Sequence, residues 1–264
     1  MTELIAYTFM QRALLAAIMV GLLCSTLSFF VVLKRLSFLG AGISHTSLGG
    51  IAIGLAAGIN PVLTGSIFAV ATAMTTGYLS RRDKISEDTI IGVFYAFGMA
   101  LGIALISNFK GYYPELFSLL FGNILAVSSG ALWLMGITMM VVVSFLILFF
   151  KEYLSICFDE EMATASGLPT TALYMALLAA IGLTIMVAIQ LVGVVLVAAL
   201  IVIPGATGQR ACKNYRGMMA VSILTGLLGS MGGLILSFFF PVPPGASIVL
   251  VMTAIFLLSL LRRR

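Results

Sequence analysis

Long apolar stretches follow one another along this chain, and short polar stretches separate them. Nine apolar stretches can be marked, at about 10–33, 38–58, 61–79, 88–107, 128–150, 170–189, 191–209, 217–239 and 244–261. An α-helix rises about 1.5 Å per residue, so about 20 residues cross the roughly 30 Å of hydrocarbon in a bilayer. The pattern therefore predicts an all-α integral membrane protein, a polytopic bundle of about nine transmembrane helices.

The division of residues 170–209 into two helices is the weakest part of this pattern. The stretch is almost continuously apolar, and Gln190 and Gly193 are the positions that suggest a bend. An eight-helix arrangement would need one overlong helix here with a re-entrant piece, or would place a basic cluster on the outer side of the membrane. We therefore prefer nine helices to eight.

Basic residues indicate how these helices are oriented. Cytoplasmic connections are enriched in Lys and Arg, and an outer N-terminus with an inner C-terminus places all but two of the 14 basic residues on the cytoplasmic side. These residues are Lys34, Arg35, Arg81, Arg82, Lys84, Lys151, Arg210, Lys213, Arg216, Arg262, Arg263 and Arg264. The net charge of +5 thus reflects membrane topology and not a nucleic-acid-binding surface.

Composition supports a membrane protein without a soluble part. Hydrophobic residues make up 61% of the 264 positions and charged residues 9%, whereas soluble domains carry about 25% charged residues. We expect a single transmembrane domain over residues 1–264, with a cytoplasmic segment at about 155–169. The 27 glycines favour close helix packing, because small residues let helix backbones approach each other in lipid.

His45 is the only histidine, and it lies early in the second apolar stretch among serines, threonines and glycines. An ionisable side chain inside a membrane span is costly and usually functional. A neutral imidazole is a good ligand for Zn²⁺, Mn²⁺ or Fe²⁺. The alternative is a histidine that is hydrogen-bonded across a helix interface, and the spacing alone leaves both interpretations open.

A second polar cluster, Ser86, Glu87 and Asp88, precedes the fourth apolar stretch. Serine as N-cap with acidic residues in the first turn is typical of a helix start. Glu87 and Asp88 are also candidate metal ligands of an acidic exit or gate on the cytoplasmic side.

A third cluster lies between the fifth and sixth apolar stretches. Asp159, Glu160 and Glu161 precede small helix-forming residues, and then Gly167 and Pro169 indicate the end of one helix and the start of another. A short amphipathic helix outside the bilayer would suit contact with a soluble partner, although an ordinary loop helix would look similar.

Motifs of known catalytic chemistry are absent from the sequence. It contains no G-x-x-x-x-G-K-[ST], no H-E-x-x-H and no G-x-S-x-G. We expect no enzymatic activity and no permanently bound cofactor. If transport is active, either another chain hydrolyses ATP or an ion gradient drives it.

Several segments together resemble the ABC-3 family of metal permeases, the membrane subunits of zinc, manganese and iron importers. The segments are VLKRLSFLG (32–40), ISH (43–45), ISEDTIIG (85–92), LFGNIL (120–125), 158–169, 190–204 and PPGA (243–246). The resemblance extends over nearly the whole chain and rests on the order and spacing of these segments.

The resemblance implies a homodimer in the inner (plasma) membrane. Two copies of a cytoplasmic ABC ATPase would lie beneath it, and an extracytoplasmic binding protein would deliver the metal. His45 matches the histidine of the family's G-D-x-[LI]-[SA]-H motif and so belongs to the metal path or its gate. Residues 159–168 match the coupling helix that docks on the ATPase, with Asp159, Glu160, Glu161, Ala165, Gly167 and Leu168 as the coupling residues.

This sequence departs from the family motif at Ala41, where the family usually has aspartate. Residues four apart share one face of a helix, so His45 lacks the carboxylate that would bind a cation with it. A histidine-centred path favours Zn²⁺ over Mn²⁺. The alternatives are a permease for siderophores or cobalamin, an ion-gradient-driven carrier and a structural scaffold. Every Asp and Glu lies at the end of a span or in a loop, which disfavours the gradient-driven carrier.

Overall fold

The structure is a computed structural model that describes residues 8–107, 122 and 124–261. These residues form eleven α-helices and one 3-10 turn, and no strand occurs among them. The helices are α1 (Thr8–Leu33), α2 (Ser37–Ala57), α3 (Pro61–Asp83), α4 (Glu87–Ser107), α5 (Ser129–Leu148), α6 (Phe150–Phe158), α7 (Glu160–Ala165), α8 (Thr170–Val192), α9 (Val194–Ala211), α10 (Tyr215–Phe239) and α11 (Pro244–Leu261). The 3-10 turn is Ile124–Ala126.

Nine of the helices in the described residues are long and apolar enough to cross a membrane, namely α1 to α5 and α8 to α11. This confirms the predicted all-α bundle. The disputed stretch 170–209 is two helices, because the chain breaks at Gly193, whose φ of 83° favours glycine. Helix α3 continues to Asp83, four residues past its predicted end. The connection at 108–129, whose apolar middle predicts a short interfacial or re-entrant helix at the outer face, lies in part outside the described residues.

The chain divides into two compact units. The terminal unit comprises the described residues within Met1–Val32, Pro114–Met140 and Ala188–Arg264. The central unit comprises those within Leu33–Tyr113 and Val141–Val187. That residues 1–264 form one permease domain stays a prediction.

Small residues bring the helices of the terminal unit together. The backbone N–H of Gly205 in α9 donates to the Ser28 Oγ of α1 at 2.7 Å. A methyl group on Gly226 of α10 would lie 2.8 Å from the carbonyl oxygen of Gly21 in α1. At these points the helices touch through small residues and backbone atoms, as expected where lipid supplies no hydrophobic drive between helices.

The central unit has the same construction around α2. A methyl group on Gly98 of α4 would lie 2.6 Å from the Cα of Thr46, and one on Gly49 would lie 2.9 Å from the carbonyl oxygen of Gly98. Both distances are shorter than real carbon contacts, so α2 and α4 touch backbone to backbone. On another side, Gly182 of α8 packs against the backbone of Ala69 in α3.

Candidate functional site

His45 lies on α2 and is half-buried. Its Nδ1 atom is buried and has no hydrogen-bond partner among the described residues. Nδ1 therefore makes no hydrogen bond across a helix interface, which was the alternative interpretation of this histidine. In the neutral ring one nitrogen carries the proton and the other is an acceptor, so in the tautomer with the proton on Nε2 the Nδ1 lone pair can bind a cation or accept from a water molecule.

An aromatic ring borders the imidazole. The Tyr95 ring of α4 stands edge-on to His45, with ring centroids 4.9 Å apart and an interplanar angle of 70°. The close approach of α2 and α4 at Gly98 positions this ring, since Tyr95 precedes Gly98 by about one helical turn. The hydrophobic pattern and the polar clusters do not single out Tyr95. A signal exists in the spacing of Ile91, Tyr95, Gly98 and Gly102, which fall on one face of α4.

Hard oxygen ligands are scarce around His45. No group of three or more His, Cys, Asp and Glu side chains that could hold a metal ion occurs among the described residues. Ala41, one turn before His45, is half-buried and places a methyl group where the family motif has a carboxylate. The neighbouring Ser44 has a buried hydroxyl without a hydrogen-bond partner.

Glu87 and Asp88, the acidic pair predicted as candidate metal ligands, have different surroundings. Both belong to the first turn of α4, and the Ser86 hydroxyl accepts from the Thr89 N–H at 3.3 Å. The predicted helix start is thus present. Glu87 is half-buried and accepts a short hydrogen bond from the Tyr174 hydroxyl, whereas Asp88 is exposed.

The predicted short helix between the fifth and sixth spans is α7. The Asp159 Oδ1 caps it by accepting from the Met162 N–H at 2.9 Å. The helix ends before Gly167, whose φ of 83° reverses the chain, and Leu168 donates its N–H back to the Ala163 carbonyl at 3.2 Å. Glu161, Ala165 and Gly167 are exposed, and Leu168 is half-buried.

Glu160 anchors α7 to the rest of the central unit. Lys34, in the connection between α1 and α2, donates to Glu160 Oε2 at 2.6 Å. Arg81, near the end of α3, donates to Glu160 Oε1. One carboxylate therefore joins α7 to two other points of the chain.

These charges surround a cavity of about 160 Å³ at the cytoplasmic end of the central unit. Its lining residues are Lys34, Arg81, Glu87, Glu160 and Tyr174. The Arg81 guanidinium carbon lies 4.5 Å from the centroid of the Tyr174 ring, within the range of a cation–π contact. Of the acidic residues singled out in the sequence, the structure brings Glu87 and Glu160 to one cavity and leaves Asp88, Asp159 and Glu161 exposed.

Glu160 is held in its ionised form. Burial alone would raise the pKa of this carboxyl, but the hydrogen bond from Lys34 and the positive charges of Lys34 and Arg81 outweigh burial and hold the pKa below its ordinary value. The anchor therefore carries its negative charge at neutral pH.

Two large apolar side chains beside the anchor face outward. Phe158, the last residue of α6, and Met162 of α7 are each 67% exposed. They lie outside the nine candidate spans, so their exposure is not explained by contact with lipid tails. The acidic residues of this segment were predicted from sequence, but these two apolar residues were not.

Comparison with known proteins gives relatives over the whole chain. The manganese transport system membrane protein MntC of Halalkalibacterium halodurans is 36% identical over 258 residues, which are 97% of this chain and 88% of the relative. The chelated iron transport system membrane protein YfeD of Yersinia pestis is 34% identical over 264 residues, 98% of this chain and 87% of the relative.

A solved structure also matches this chain over nearly its whole length. PsaBC from Streptococcus pneumoniae in complex with Fab superposes with a TM-score of 0.86 at 32% identity, covering 98% of this chain and 94% of that one. The part of the chain that the structure describes has nine apolar spans, and the relatives are membrane transport proteins, so the chain is a multi-pass protein of the inner membrane. The model of the family described as ABC 3 transport family matches residues 6–263, and the chain therefore belongs to that family.

Proposed function

We propose that this chain is the membrane subunit of an ATP-driven importer that carries a divalent transition metal, manganese or iron in the first place. The observation that carries the proposal is the buried, unpartnered Nδ1 of His45 inside a membrane span. An intramembrane imidazole with a free lone pair is costly unless it binds something. A divalent metal in transit is the ligand that imidazole suits.

The surroundings of His45 support passage of the metal and not storage. A resting site for a metal ion normally has several ligands, and the described residues offer no such cluster. A half-exposed histidine in a span also needs a polar neighbour in place of lipid. A second copy of the chain would supply one, which supports a homodimer with His45 beside its axis.

The relatives' names support manganese and iron, because MntC is named for manganese transport and YfeD for chelated iron transport. The preference for zinc rests only on Ala41 standing where the family motif has aspartate. It stays a prediction that direct competition between metals can decide.

The segment around α7 supports coupling to a separate ATPase. Phe158 and Met162 give it an apolar outer surface, and exposed apolar groups outside the lipid typically mark contact with another protein. On the inner side, Glu160 ties α7 to Lys34 and Arg81. Movement of an ATPase bound at α7 would thus reach the start of α2, which carries His45. An extracytoplasmic binding protein would deliver the metal.

The gradient-driven alternative has no support among the described spans. Their acidic residues are Asp83 at the end of α3 and Glu87 and Asp88 at the start of α4. A proton-coupled carrier normally needs a carboxylate deeper in the membrane. A siderophore or cobalamin permease remains the second candidate within ABC importers.

The test is metal uptake into proteoliposomes that contain the permease, its ATPase and its binding protein. We expect ATP-dependent entry of Mn²⁺ or Fe²⁺, reduced at least tenfold in His45→Ala and His45→Gln. Ser47→Ala is the matched control, since it removes a hydroxyl of α2 that already bonds to the carbonyl of Ser44 at 2.7 Å. Uptake at wild-type rate in both His45 variants would refute the role of His45, and entry of only a chelate would refute the metal substrate.

Replacing Ala41 tests the metal preference in the same assay. Ala41→Asp places a carboxylate one turn from His45, so we expect the ratio of Mn²⁺ to Zn²⁺ uptake to rise about tenfold. Ala41→Asn is the uncharged control of the same shape. An equal ratio in the wild type and both variants would show that this position does not select the metal.

A further inference from the structure

The cytoplasmic end of the terminal unit carries positive charge without acidic neighbours in sequence. Residues 188–264 contain six basic residues and no Asp or Glu; the six are Arg210, Lys213, Arg216, Arg262, Arg263 and Arg264. The ion pairs found among the described residues all belong to the central unit, namely Lys34–Glu160, Arg81–Glu160 and Arg82–Asp83. Unlike the central unit, this C-terminal part of the terminal unit thus has basic residues with no acidic residue near them in sequence.

An open cleft lies within this basic end. It measures about 440 Å³, within the roughly 300–1,000 Å³ of small-molecule sites, and it is lined by Ala206, Gln209, Arg210, Phe256 and Leu260. The first three residues belong to the last turns of α9 and the other two to the end of α11. The cleft is therefore at the level where these two spans leave the bilayer on its cytoplasmic side.

Arg210 forms the polar rim of the cleft. One of its terminal nitrogens donates to the carbonyl oxygen of Leu260 at 3.5 Å, which holds the guanidinium between α9 and α11. A guanidinium has five N–H donors, so this weak bond leaves donors for another acceptor. Arginine binds phosphate oxygens in pairs, with favourable geometry and charge.

Apolar side chains also line the cleft. Phe256 is half-buried and Leu260 is exposed, and both follow α11 down to the membrane surface. A ligand that suits the cleft has an anionic group at the level of the guanidinium and a hydrocarbon part beside it. We propose that the cleft binds an anionic phospholipid of the inner leaflet, with its phosphate on Arg210 and an acyl chain against Phe256 and Leu260.

Another cleft, which lies in the central unit, contains arginines that are paired with carboxylates and so serves as a comparison. It measures about 280 Å³ and is lined by Tyr78, Arg81, Arg82, Thr171 and Met175. It too combines arginine with apolar groups. Its arginines, however, have carboxylate neighbours, because Arg81 pairs with Glu160 and the Arg82 Nε lies 3.9 Å from Asp83. Charge complementarity to an anionic headgroup therefore favours the cleft at Arg210.

The experiment uses the full-length protein in nanodiscs made of phosphatidylcholine with phosphatidylglycerol, and native mass spectrometry counts the lipids that stay bound. The wild type is expected to retain phosphatidylglycerol in preference to phosphatidylcholine. Arg210→Ala should reduce this preference about fivefold, the effect of one basic residue near an anionic membrane surface. Arg82→Ala removes the same charge on the same side of the membrane and should leave the preference unchanged.

Two further variants separate the parts of the site. Phe256→Ala should lower retention of phosphatidylglycerol, while Leu257→Ala, an exposed neighbour that does not line the cleft, should not. Arg210→Lys keeps the charge but not the paired donors, and an intermediate preference is expected. Equal elution volumes and thermal unfolding midpoints in an uncharged detergent show that a loss of lipid is not a loss of fold.

Three results would overturn the proposal. The first is an unchanged preference in Arg210→Ala, and the second is an equal loss in Arg82→Ala, which would indicate only general surface charge. The third is complete displacement of lipid by added inorganic phosphate, which is expected to displace little; it would reveal a simple anion site and contradict the role of the acyl chain. If the first result comes together with lost binding of the purified ATPase, the cleft is a protein-docking surface.

Discussion

At the scale of single residues, His45 and Glu160 differ in their hydrogen-bond partners. His45 keeps a buried nitrogen without a partner, which suits a transient ligand. Glu160 accepts from two cations at once, which suits a permanent structural role. Under the proposed function, His45 would bind and release a metal in transit, whereas the charge-assisted hydrogen bonds of Glu160 are among the strong ones.

The Glu160 anchor has a defined pH dependence. Because its folded-state pKa is lowered, its contribution to stability is fully present above the unfolded value of about 4.5 and is lost as pH falls through the folded value. We expect Glu160→Gln to lower the free energy of unfolding by about 1–2 kcal/mol at pH 7. This value lies between the typical contributions of exposed and of buried ion pairs. The difference from wild type should shrink below pH 4.5.

Thermal unfolding in detergent over a pH series measures this effect. Glu161→Gln is the matched control, since it removes a carboxylate from the same turn of α7 that is exposed and outside the cavity. A stability difference that grows as the solution becomes more acidic would contradict the assigned direction of the pKa.

Much of this residue-level picture was accessible from sequence, and part was not. His45 stood out because it is a lone imidazole in an apolar stretch, and Asp159 and Gly167 because caps have local rules. Tyr95 was missed, since its role depends on how closely α2 and α4 approach. That Glu87 turns inward while Asp88 is exposed depends on Tyr174, which lies 87 positions away from Glu87.

At the scale of elements, glycine contacts decide which helices touch. The contact of α2 with α4 has no room for a methyl group at Gly98. The length and order of the helices followed from hydrophobic patterning, because a span must be apolar over its whole length. Helix partners did not follow, because many of the 27 glycines are spaced like packing glycines and the pattern cannot tell which face meets which helix.

A pair of substitutions on α4 tests the glycine contact. Gly98→Ala should destabilise the protein by about 1–3 kcal/mol, because the new methyl group must push α4 away from Thr46. Gly92→Ala on the same helix has nothing within 4 Å of the added carbon and should be neutral or stabilising by up to about 1 kcal/mol. Equal unfolding midpoints for the two variants would show that the close approach does not contribute to stability.

At the scale of the whole molecule, the nine candidate spans among the described residues are an odd number, which would place Thr8 and Leu261 on opposite sides of a membrane. The helix count within the described residues agrees with the orientation drawn from basic residues. Sequence reasoning succeeded here because the bilayer imposes one length on every span. The division into two compact units was not predicted, because it depends on contacts between segments far apart in sequence.

Labelling with a membrane-impermeant maleimide tests this topology in intact cells. In a background without the three native cysteines, Ile59→Cys lies in the α2–α3 connection and should be labelled from outside. Asp83→Cys, at the other end of α3, should be labelled only after permeabilisation. Labelling of both positions in intact cells, or of Asp83→Cys alone, would refute the orientation.

Because Glu160 pairs with two cations, losing one cation and losing the carboxylate have different effects on the anchor. If Lys34 is lost, Arg81 still balances the carboxylate, and the reverse holds as well. The two cations back each other up, so removing both should cost more than the sum of the two single losses. The carboxylate has no such reserve. A single change at Glu160 releases both connections of α7, which makes this side chain the point at which the whole linkage can fail.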